Sequence, residues 1–492
     1  MRVRQKTLLC FTAAAAIIAA TLGGAIAQKY NSRGGQNIGV GPAPMPGSRG
    51  GDGYRGGYGG LAPGVLMGIP QFIPPRGGQY IDDDIVYGDP QGPNRPQRQT
   101  RRGPSGAPSA NERRLVPDEV VIELRNTVTP QAIEALQRRF RLTPIERQPS
   151  QLTGTTLYRW RIADRRTVAT VVRALEGDAT ITSAQPNYLF RLQQAAKTEG
   201  DPAQYELAKL KLPQAHEIAK GNDILIAVID SGVDASHPEL AGAIAQSYDA
   251  IDTPTATHKH GTAIAGLIAA HGKLMGAAPA ARILAIRAFD PAGTSAEGTT
   301  FNILKSLDWA VANNARIINM SFAGPADPAV HRALEAAAKK GVVLIAAAGN
   351  AGAKSPPLYP AADPNVIAVT ATDADDKLFE ASNRGRHIAI AAPGSQILVA
   401  IPDGGYEVSS GTSYSAAEIS GIVALMLERN SSLTPAKVRS ILQATAKDLG
   451  PKGHDPMFGA GLADAYAAIT AGNAPMASAV PLPVSRASAG AR

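Results

Sequence analysis

Cysteine is almost absent from this 492-residue chain, since the one cysteine, Cys10, lies close to the N-terminus. It falls within residues 1–27, where a basic start (Arg2, Arg4) and an apolar centre precede the small residues Ala25 and Ala27 of an Ala-Ile-Ala sequence. This pattern predicts a cleaved export signal peptide. The mature chain then has no thiol, which excludes disulfides, a catalytic cysteine and zinc–thiolate sites. An uncleaved signal that anchors the chain in a membrane is the alternative.

Nucleic-acid recognition motifs are also lacking, although the net charge is +8. We therefore expect no nucleic-acid partner and attribute the basic charge to solubility or to loose attachment to anionic envelope polymers. Helix and strand periodicity is missing from residues 28–114, which are rich in Gly, Pro and Arg. Such a segment cannot bury enough apolar surface to offset the entropy of ordering it, so we predict a disordered linker.

Ordered structure is predicted from residue 115 onward. Between residues 115 and 195, strand and helix patterns follow in the order β-α-β-β-α-β, which favours a small α+β module of the ferredoxin-like type. A polar hinge follows at 196–211. From 212 to 472, apolar strand segments alternate with helical ones, which predicts an α/β domain whose parallel sheet lies between helices. Residues 473–492 are expected to be a flexible tail.

Four polar residues follow strands or begin helices of the α/β domain: Asp230, His260, Asn350 and Ser413. Each has an ordinary interpretation, because Asp and Asn are frequent in turns, His can be a helix cap or a core residue, and Ser is a favoured N-cap. In a parallel sheet, however, ligand sites lie beyond the carboxyl ends of the strands. All four residues are predicted at that edge.

The four residue types together meet the demands of nucleophilic catalysis. A serine hydroxyl needs a histidine to accept its proton, and the histidine needs an aspartate to fix its tautomer. An amide such as that of Asn350, with the backbone N–H of Ser413, can then stabilise an oxyanion.

The motifs around these residues are "VIDSGVDASHPEL", "HGTAIAGLIAA", "INMSFAG", "AAAGN" and "GTSYSAAEISG". In this order they resemble those of the subtilisin-like serine proteases (subtilases, peptidase family S8), over roughly 212–472. The resemblance implies a subtilisin-like fold and a serine endopeptidase that acts through an acyl-enzyme. It also implies that Asp230, His260 and Ser413 form the catalytic triad and that Asn350 belongs to the oxyanion hole.

The same resemblance implies the substrate-binding residues and the partners. The substrates are extended peptides or unfolded proteins, and the chain is expected to be a monomer. Leu358 lies where many relatives have a small residue at the floor of the pocket, which suggests a shallower pocket. Two further segments flank that pocket, namely Ser321, Phe322, Ala323 and Gly324, and Ala347, Ala348 and Gly349.

The α+β module resembles the propeptide of this family, an intramolecular inhibitor and folding aid whose last strand lies in the cleft. The resemblance implies an inactive precursor that cleaves itself between Leu192 and Tyr205. The predicted signal peptide implies that the mature protein is secreted or periplasmic. A permanently attached accessory domain is the alternative interpretation.

The chain departs from the family pattern at several places. Tyr414 replaces the usual Met and Ala417 the usual Pro, and Glu239 replaces the usual Asp ligand of calcium. The loop at 269–279 lacks oxygen-rich residues, whereas calcium needs six to eight oxygen ligands. We therefore predict no metal cofactor, and a weaker calcium site elsewhere stays open.

Two other functions stay open as well. The chain could be a non-catalytic surface protein that holds peptides, although such a role would not require all four groups. It could also be a self-processing protein that its own module keeps inhibited.

Overall fold

The computed structural model describes residues 105–192, 204–252, 258–292 and 295–472. The predicted signal peptide, most of the predicted linker, most of the hinge before Tyr205 and the C-terminal tail lie outside these residues. No helix within the described ranges is long and apolar enough to cross a membrane.

The described chain begins with the elements of the module: β1 (Leu115–Arg125), α1 (Pro130–Phe140), β2 (Leu142–Ser150), β3 (Thr155–Ile162), α2 (Val168–Glu176) and β4 (Ile181–Leu192). Two short helices follow, α3 (Tyr205–Lys209) and α4 (Leu212–His216).

The α/β domain continues with β5 (Leu225–Asp230), β6 (Ile244–Asp249), α5 (Lys259–Ala269), β7 (Arg282–Arg287), β8 (Asp290–Ala292), β9 (Ser295–Thr299), α6 (Thr300–Ala312), β10 (Ile317–Met320), β11 (Phe322–Ala323), α7 (Pro328–Lys339), β12 (Val343–Ala347), β13 (Val366–Thr372), β14 (Ile388–Pro393), β15 (Ile397–Ile401), β16 (Gly405–Ser409), α8 (Thr412–Arg429), α9 (Pro435–Thr445) and α10 (Ala465–Gly472).

The module is an antiparallel sheet with strand order β2-β3-β1-β4, and α1 and α2 lie in the two crossovers. Both helices begin at a threonine N-cap, since Thr129 accepts from the N–H of Ala132 and Thr167 from that of Thr170. The sheet and helices enclose a core around Trp160, which is fully buried. Residues 105–114, which composition assigns to the linker, include Ser105, whose hydroxyl donates to Glu176 at 2.8 and 2.9 Å.

The centre of the α/β domain is a seven-stranded parallel sheet with strand order β14-β13-β12-β10-β5-β7-β6. Alternate residues of β5 pack on opposite faces, so that Ile226 and Val228 join the core beneath α5 and α8, whereas Ala227 and Ile229 join the core beneath α6 and α7. This two-sided burial explains why the inner strands of the sheet are mostly apolar. The prediction of a parallel sheet between helices is confirmed.

The sequence patterns do not predict some other elements of the fold. The edge strand β6 has no buried residue and therefore no continuous apolar run. The β15–β16 hairpin lies outside the parallel sheet and pairs only within itself. The part of the predicted hinge that the structure describes contains helix α3.

Candidate active site

Asp230 and His260 form a fully buried pair at the carboxyl edge of the sheet. Asp230 is the last residue of β5, and His260 lies in the first turn of α5. The Nδ1 atom of His260 is 2.9 Å from both carboxylate oxygens of Asp230. Since a carboxylate only accepts, the contact assigns the proton to Nδ1 and leaves the lone pair on Nε2.

The carboxylate of Asp230 has a second anchor. Its Oδ1 atom accepts from the backbone N–H of Ser231 at 2.8 Å and from the Ser231 hydroxyl at 3.0 Å. His258 is the N-cap of α5, and its Nδ1 accepts from the N–H of His260 at 3.3 Å. Burial, followed by the neighbouring His260, lowers the pKa of His258. A neutral His258 suits this cap, because a protonated imidazole has no lone pair with which to accept.

Ser413 is the second residue of α8, whose N-cap is Gly411, so the serine is not the capping residue that its position suggested. Its hydroxyl donates to the carbonyl of Ser321 at 3.2 Å. Nε2 of His260 is buried and has no hydrogen-bond partner among the described residues. The next residue, Tyr414, places its ring 6.3 Å from the imidazole, centroid to centroid. The serine and histidine therefore lie on neighbouring elements without a hydrogen bond between them.

Tyr414 is fully buried, and its hydroxyl donates to Ser409 at the end of β16, at 2.9 Å. Burial raises the pKa of Tyr414. Nearby, the ammonium of Lys259 contacts Glu407 of the same strand at 2.7 Å. The β15–β16 hairpin is thus bonded to the helix of His260 and to the helix of Ser413.

Asn350 lies just beyond β12 and is held by the residue that precedes the serine. Its Oδ1 atom accepts from the backbone N–H of Thr412 at 3.1 Å and from the Thr412 hydroxyl at 2.9 Å. The same hydroxyl accepts from the N–H of Gly349 at 3.1 Å. These bonds direct the amide oxygen toward α8 and hence its NH₂ group away from Thr412.

The residues expected to flank the substrate lie beside this centre. Phe322 and Ala323 form β11, which pairs antiparallel with Leu192 and Arg191 at the end of β4. Gly324 exchanges two backbone hydrogen bonds with Tyr359, at 2.8 and 3.1 Å. A strand of the module therefore occupies the free edge of β11.

Leu358 and a residue that the sequence patterns miss, Asn383, line the backbone of Gly349. A Cβ atom on Gly349 would lie 2.5 Å from Nδ2 of Asn383 and 3.0 Å from Cδ1 of Leu358. Asn383 is buried; its Oδ1 accepts from the N–H of Ala351 at 2.9 Å, whereas Nδ2 has no partner among the described residues. The segment around it, "EASNRG", has neither helical nor strand periodicity, so its turn-forming composition is the one signal that could have indicated it.

Glu239, at the position of a calcium ligand in relatives, accepts four hydrogen bonds. Oε2 accepts from the N–H groups of Gly272 (3.0 Å) and Leu274 (2.9 Å), and Oε1 accepts from the N–H of Lys273 (2.9 Å) and the hydroxyl of Tyr406 (2.6 Å). These bonds lower the pKa of Glu239 against the opposing effect of burial. Because donors surround both oxygens, this carboxylate does not fit the calcium site of the family. The residues described also include no group of three His, Cys, Asp or Glu side chains arranged for a metal.

Comparison with known proteins agrees with this architecture. The family model described as Subtilase family matches residues 221–461. Thermitase of Thermoactinomyces vulgaris is 34% identical over 284 residues, which are 55% of this chain and 99% of thermitase. Subtilisin E of Bacillus subtilis (strain 168) is 32% identical over 311 residues, 60% of this chain and 77% of the relative.

Two further proteins are similar over part of their own length. The minor extracellular protease Epr of Bacillus subtilis (strain 168) is 34% identical over 297 residues, which are 58% of this chain and 45% of Epr. The crystal structure of fervidolysin from Fervidobacterium pennivorans, a keratinolytic enzyme related to subtilisin, has a TM-score of 0.63 at 25% identity, with 72% of this chain and 61% of that chain covered. The predicted subtilisin-like α/β fold is thereby confirmed.

This chain belongs to the subtilase family. Its class is that of the serine-type endopeptidases.

Proposed function

We propose that this chain is an exported endopeptidase that hydrolyses peptide bonds with Asp230, His260 and Ser413, and that it is made as a self-processing precursor. The observation that supports the proposal most strongly is the buried contact of 2.9 Å between Nδ1 of His260 and the carboxylate of Asp230. His260 lies on α5, the helix that packs beside the start of the helix of Ser413. The contact holds the imidazole with Nε2 as the base.

The chemistry begins with a rotation of the Ser413 side chain, away from the Ser321 carbonyl and toward Nε2 of His260. The serine oxygen then bonds to the substrate carbonyl carbon while its proton passes to Nε2. The carbon–nitrogen bond breaks, and the departing amine takes that proton. Water then gives a proton to His260 while its oxygen bonds to the acyl carbon. The bond between that carbon and the serine oxygen breaks, and the oxygen of Ser413 takes the proton back from His260.

The oxyanion of each tetrahedral intermediate is stabilised by the Asn350 amide and by the backbone N–H of Ser413. The two hydrogen bonds from Thr412 to Asn350 support this role, because they fix the amide oxygen and so orient the NH₂ group. The N–H of Ser413 lies in the first turn of α8, where the helix dipole favours negative charge.

Extended peptides bind along β11 and place one side chain in the pocket that segments 321–324 and 347–349 flank. The contact of Leu358 with Gly349 supports a shallow pocket, since a leucine side chain fills space that a smaller residue would leave. The backbone pairing accepts many sequences, whereas the pockets select among them.

The module acts as the inhibitor of the precursor. Its strand β4 covers the edge of β11, and its Gln185 donates to Asp327, the N-cap of α7, at 2.5 Å. Leu152 and Ser150 donate to Asp308 of α6 at 2.7 and 3.0 Å. These contacts anchor the module across two helices of the α/β domain, as an inhibitor requires. The cleavage itself is proposed for the segment between Leu192 and Tyr205.

We also propose that the loop at 272–274 is ordered without calcium. The donors around Glu239 already hold the loop at 272–274 that the cation would otherwise order. Export rests on the predicted signal at residues 1–27, and a monomeric protein is proposed with it.

Labelling with a fluorophosphonate, which reacts with activated serines, tests the catalytic centre. The matured protein is expected to be labelled at Ser413 and to hydrolyse casein. Ser413→Ala should abolish both, whereas Ser415→Ala, two residues along the same helix, should retain labelling because that hydroxyl donates to Ala392 and Pro393. An unlabelled mature wild type would contradict the proposal and favour a peptide-binding protein.

The pairing of β4 with β11 also favours the second function, a precursor that cleaves itself but stays inhibited. A gel that compares wild type with Ser413→Ala shows whether the precursor splits. Cleavage together with casein turnover supports the free endopeptidase, whereas cleavage without turnover supports the permanently inhibited protein.

A further inference from the structure

Two glutamate side chains of the α/β domain, Glu206 and Glu418, are buried. Glu206 is the second residue of α3, and Glu418 lies in the second turn of α8, the helix that carries Ser413. The exposed fractions of the two residues are 0% and 1%. Oε2 of each carboxyl has no hydrogen-bond partner among the residues that the structure describes. A buried carboxylate that lacks a cation or donors is unstable relative to the neutral acid, so both positions favour protonated carboxyls.

The two glutamates lie on neighbouring elements. The hydroxyl of Tyr205 donates to the carbonyl of Ser395 at 2.7 Å. Gly394, the residue before Ser395, lies against α8, because a Cβ atom on it would lie 2.2 Å from Oγ of Ser415. Ser415 and Glu418 are three residues apart on the helix and therefore share a face. Glu418 is thus on the side of α8 that faces the start of α3.

Acidic groups act on one another in this region. Burial raises the pKa of Tyr205, and so do the charges of three nearby acids: Glu206, Asp373 and Glu418. Burial raises the pKa of Glu206 to about 7, against the hydrogen bonds from its own N–H and from Gln204, whose Nε2 donates to Oε1 at 3.2 Å. Burial and then the charge of Glu206 raise the pKa of Glu418 well above its usual range. Near neutral pH the pair therefore holds protons where a counter-ion would otherwise be needed.

Basic side chains near α3 are neutral or bonded to other acids. Burial lowers the pKa of His216 on α4, whose Nε2 lies 3.0 Å from the carbonyl oxygen of Ala277. The ion pairs of this region are Lys209–Asp376, Lys447–Asp376 and Lys211–Asp464, at 2.5, 2.8 and 2.5 Å. Within the described ranges, no basic side chain therefore forms an ion pair with either glutamate.

Helix α3 depends on its docking for its structure. It has five residues, and a helix of that length is not stable in water by itself. Apart from its apolar contacts and Tyr205, it is attached by two hydrogen bonds of Gln204 with the backbone of Met275, at 2.9 and 3.0 Å, and by the ion pair of Lys209. Helix α8 is buried along most of its length. The element that detaches when this contact weakens is therefore α3, and its detachment exposes Glu206 to water.

We infer that protons on Glu206 and Glu418 hold α3 against α8, so that α3 detaches more often as the pH rises while the rest of the domain stays folded. An exposed glutamate has a pKa of about 4.3. Above about pH 5 the detached state therefore releases at least one proton that the docked state keeps. The equilibrium constant for detachment then rises at least about tenfold per pH unit between about pH 5 and 7.

This docking does not involve the catalytic groups, so the inference holds whether or not Ser413 is a nucleophile. In the mature enzyme proposed above, α3 lies close to the new N-terminus. Detachment in alkaline medium would therefore expose that end of the chain to proteolysis.

Hydrogen–deuterium exchange followed by mass spectrometry tests the inference on the full chain with Ser413→Ala, which prevents self-digestion. The exchange of the peptide that covers α3, in which the N–H of Leu210 donates to Glu206, is measured from pH 5 to 8 and corrected for the intrinsic rate. Its protection factor should fall at least about tenfold per pH unit between pH 5 and 7. The amides of β12 should stay protected throughout.

Glutamine at both positions keeps the size of the side chains and removes the protons that titrate. In the double variant Glu206→Gln/Glu418→Gln, the protection of α3 should be the same from pH 5 to 8, and at pH 8 it should exceed that of the parent chain. Glu217→Gln, which changes the exposed C-cap of α4, should keep the pH dependence of the parent. A pH dependence that survives in the double variant would overturn the inference.

The parent chain decides the matter even if the double variant does not fold. Equal protection of α3 at pH 5 and pH 8, or loss of protection in α3 and β12 together, would overturn the inference. Added calcium chloride or potassium chloride should leave the protection at pH 8 unchanged. A rise in protection with either salt would also overturn the inference, since a cation and not a proton would then neutralise the pair.

Discussion

Replacement of Glu239 by glutamine tests whether a carboxylate has taken over the work of a metal ion in the loop after α5. The carboxylate accepts four hydrogen bonds, two at each oxygen. Glutamine keeps one oxygen and turns an NH₂ group toward two donors that then have no acceptor. A hydrogen bond to a charged group contributes about 1.5 kcal/mol at the low end, so the two lost bonds amount to about 3 kcal/mol. For a domain of this size the loss corresponds to a fall in Tm of about 6–12 °C.

The assay is differential scanning calorimetry in the Ser413→Ala background, where the proposed nucleophile is removed and self-digestion cannot confuse the result. Each protein is scanned with a chelator and with millimolar calcium. Glu239→Gln should lower Tm in both buffers, whereas wild type and the exposed control Glu217→Gln should unfold at the same temperature with or without the chelator. A Glu239→Gln protein as stable as the control would refute the reasoning.

Three further predictions concern the active site and the helix of the serine. Asn350→Ala should lower kcat on the order of 100 to 1,000-fold with little change in KM, since its amide acts on the oxyanion; an unchanged kcat in a peptide assay would exclude that role. Tyr414→Phe should keep most of the activity because the ring still packs on His260, whereas Tyr414→Ala should lower kcat and alter its pH profile; identical profiles for both would rule out an effect on the imidazole. Burial raises the pKa of Glu206 to about 7, and burial together with the neighbouring Glu206 raises the pKa of Glu418, so the folded protein binds protons that the unfolded chain releases. The stability that these bound protons give to the folded state is present in acid and is lost as the pH rises through the folded pKa values. Glu206→Gln should therefore raise Tm more at pH 8 than at pH 5. A pH-independent change in Tm would contradict this expectation.

The sequence predicts the central sheet well because burial on both faces requires runs of apolar residues, and such runs are visible in the sequence. Strand β12 is apolar at every position and β5 at every position except its last, Asp230, since each face packs against helices. The sheet also explains why Asp230 and Asn350, far apart in the chain, lie at one edge. Strand β6 has no such apolar run, because it lies at the edge of the sheet and none of its residues is buried.

The finer geometry of the site could not be predicted, because it depends on contacts between distant residues. The orientation of the Ser413 hydroxyl toward Ser321 depends on a contact across 92 positions. Asn383 reaches Gly349 only through the fold of a loop. For Glu239 the sequence indicated that a calcium ligand had been replaced, but it did not indicate that backbone N–H groups would become its partners.

The central claim is that Asp230 makes His260 the base for Ser413, and the rate of fluorophosphonate labelling in Asp230→Asn tests it most directly. Asparagine keeps the volume of the side chain but offers its NH₂ group to Nδ1, which favours the wrong tautomer, and labelling of Ser413 is expected to slow by about 10,000-fold. Labelling at the wild-type rate, in a variant that melts like wild type, would contradict the claim.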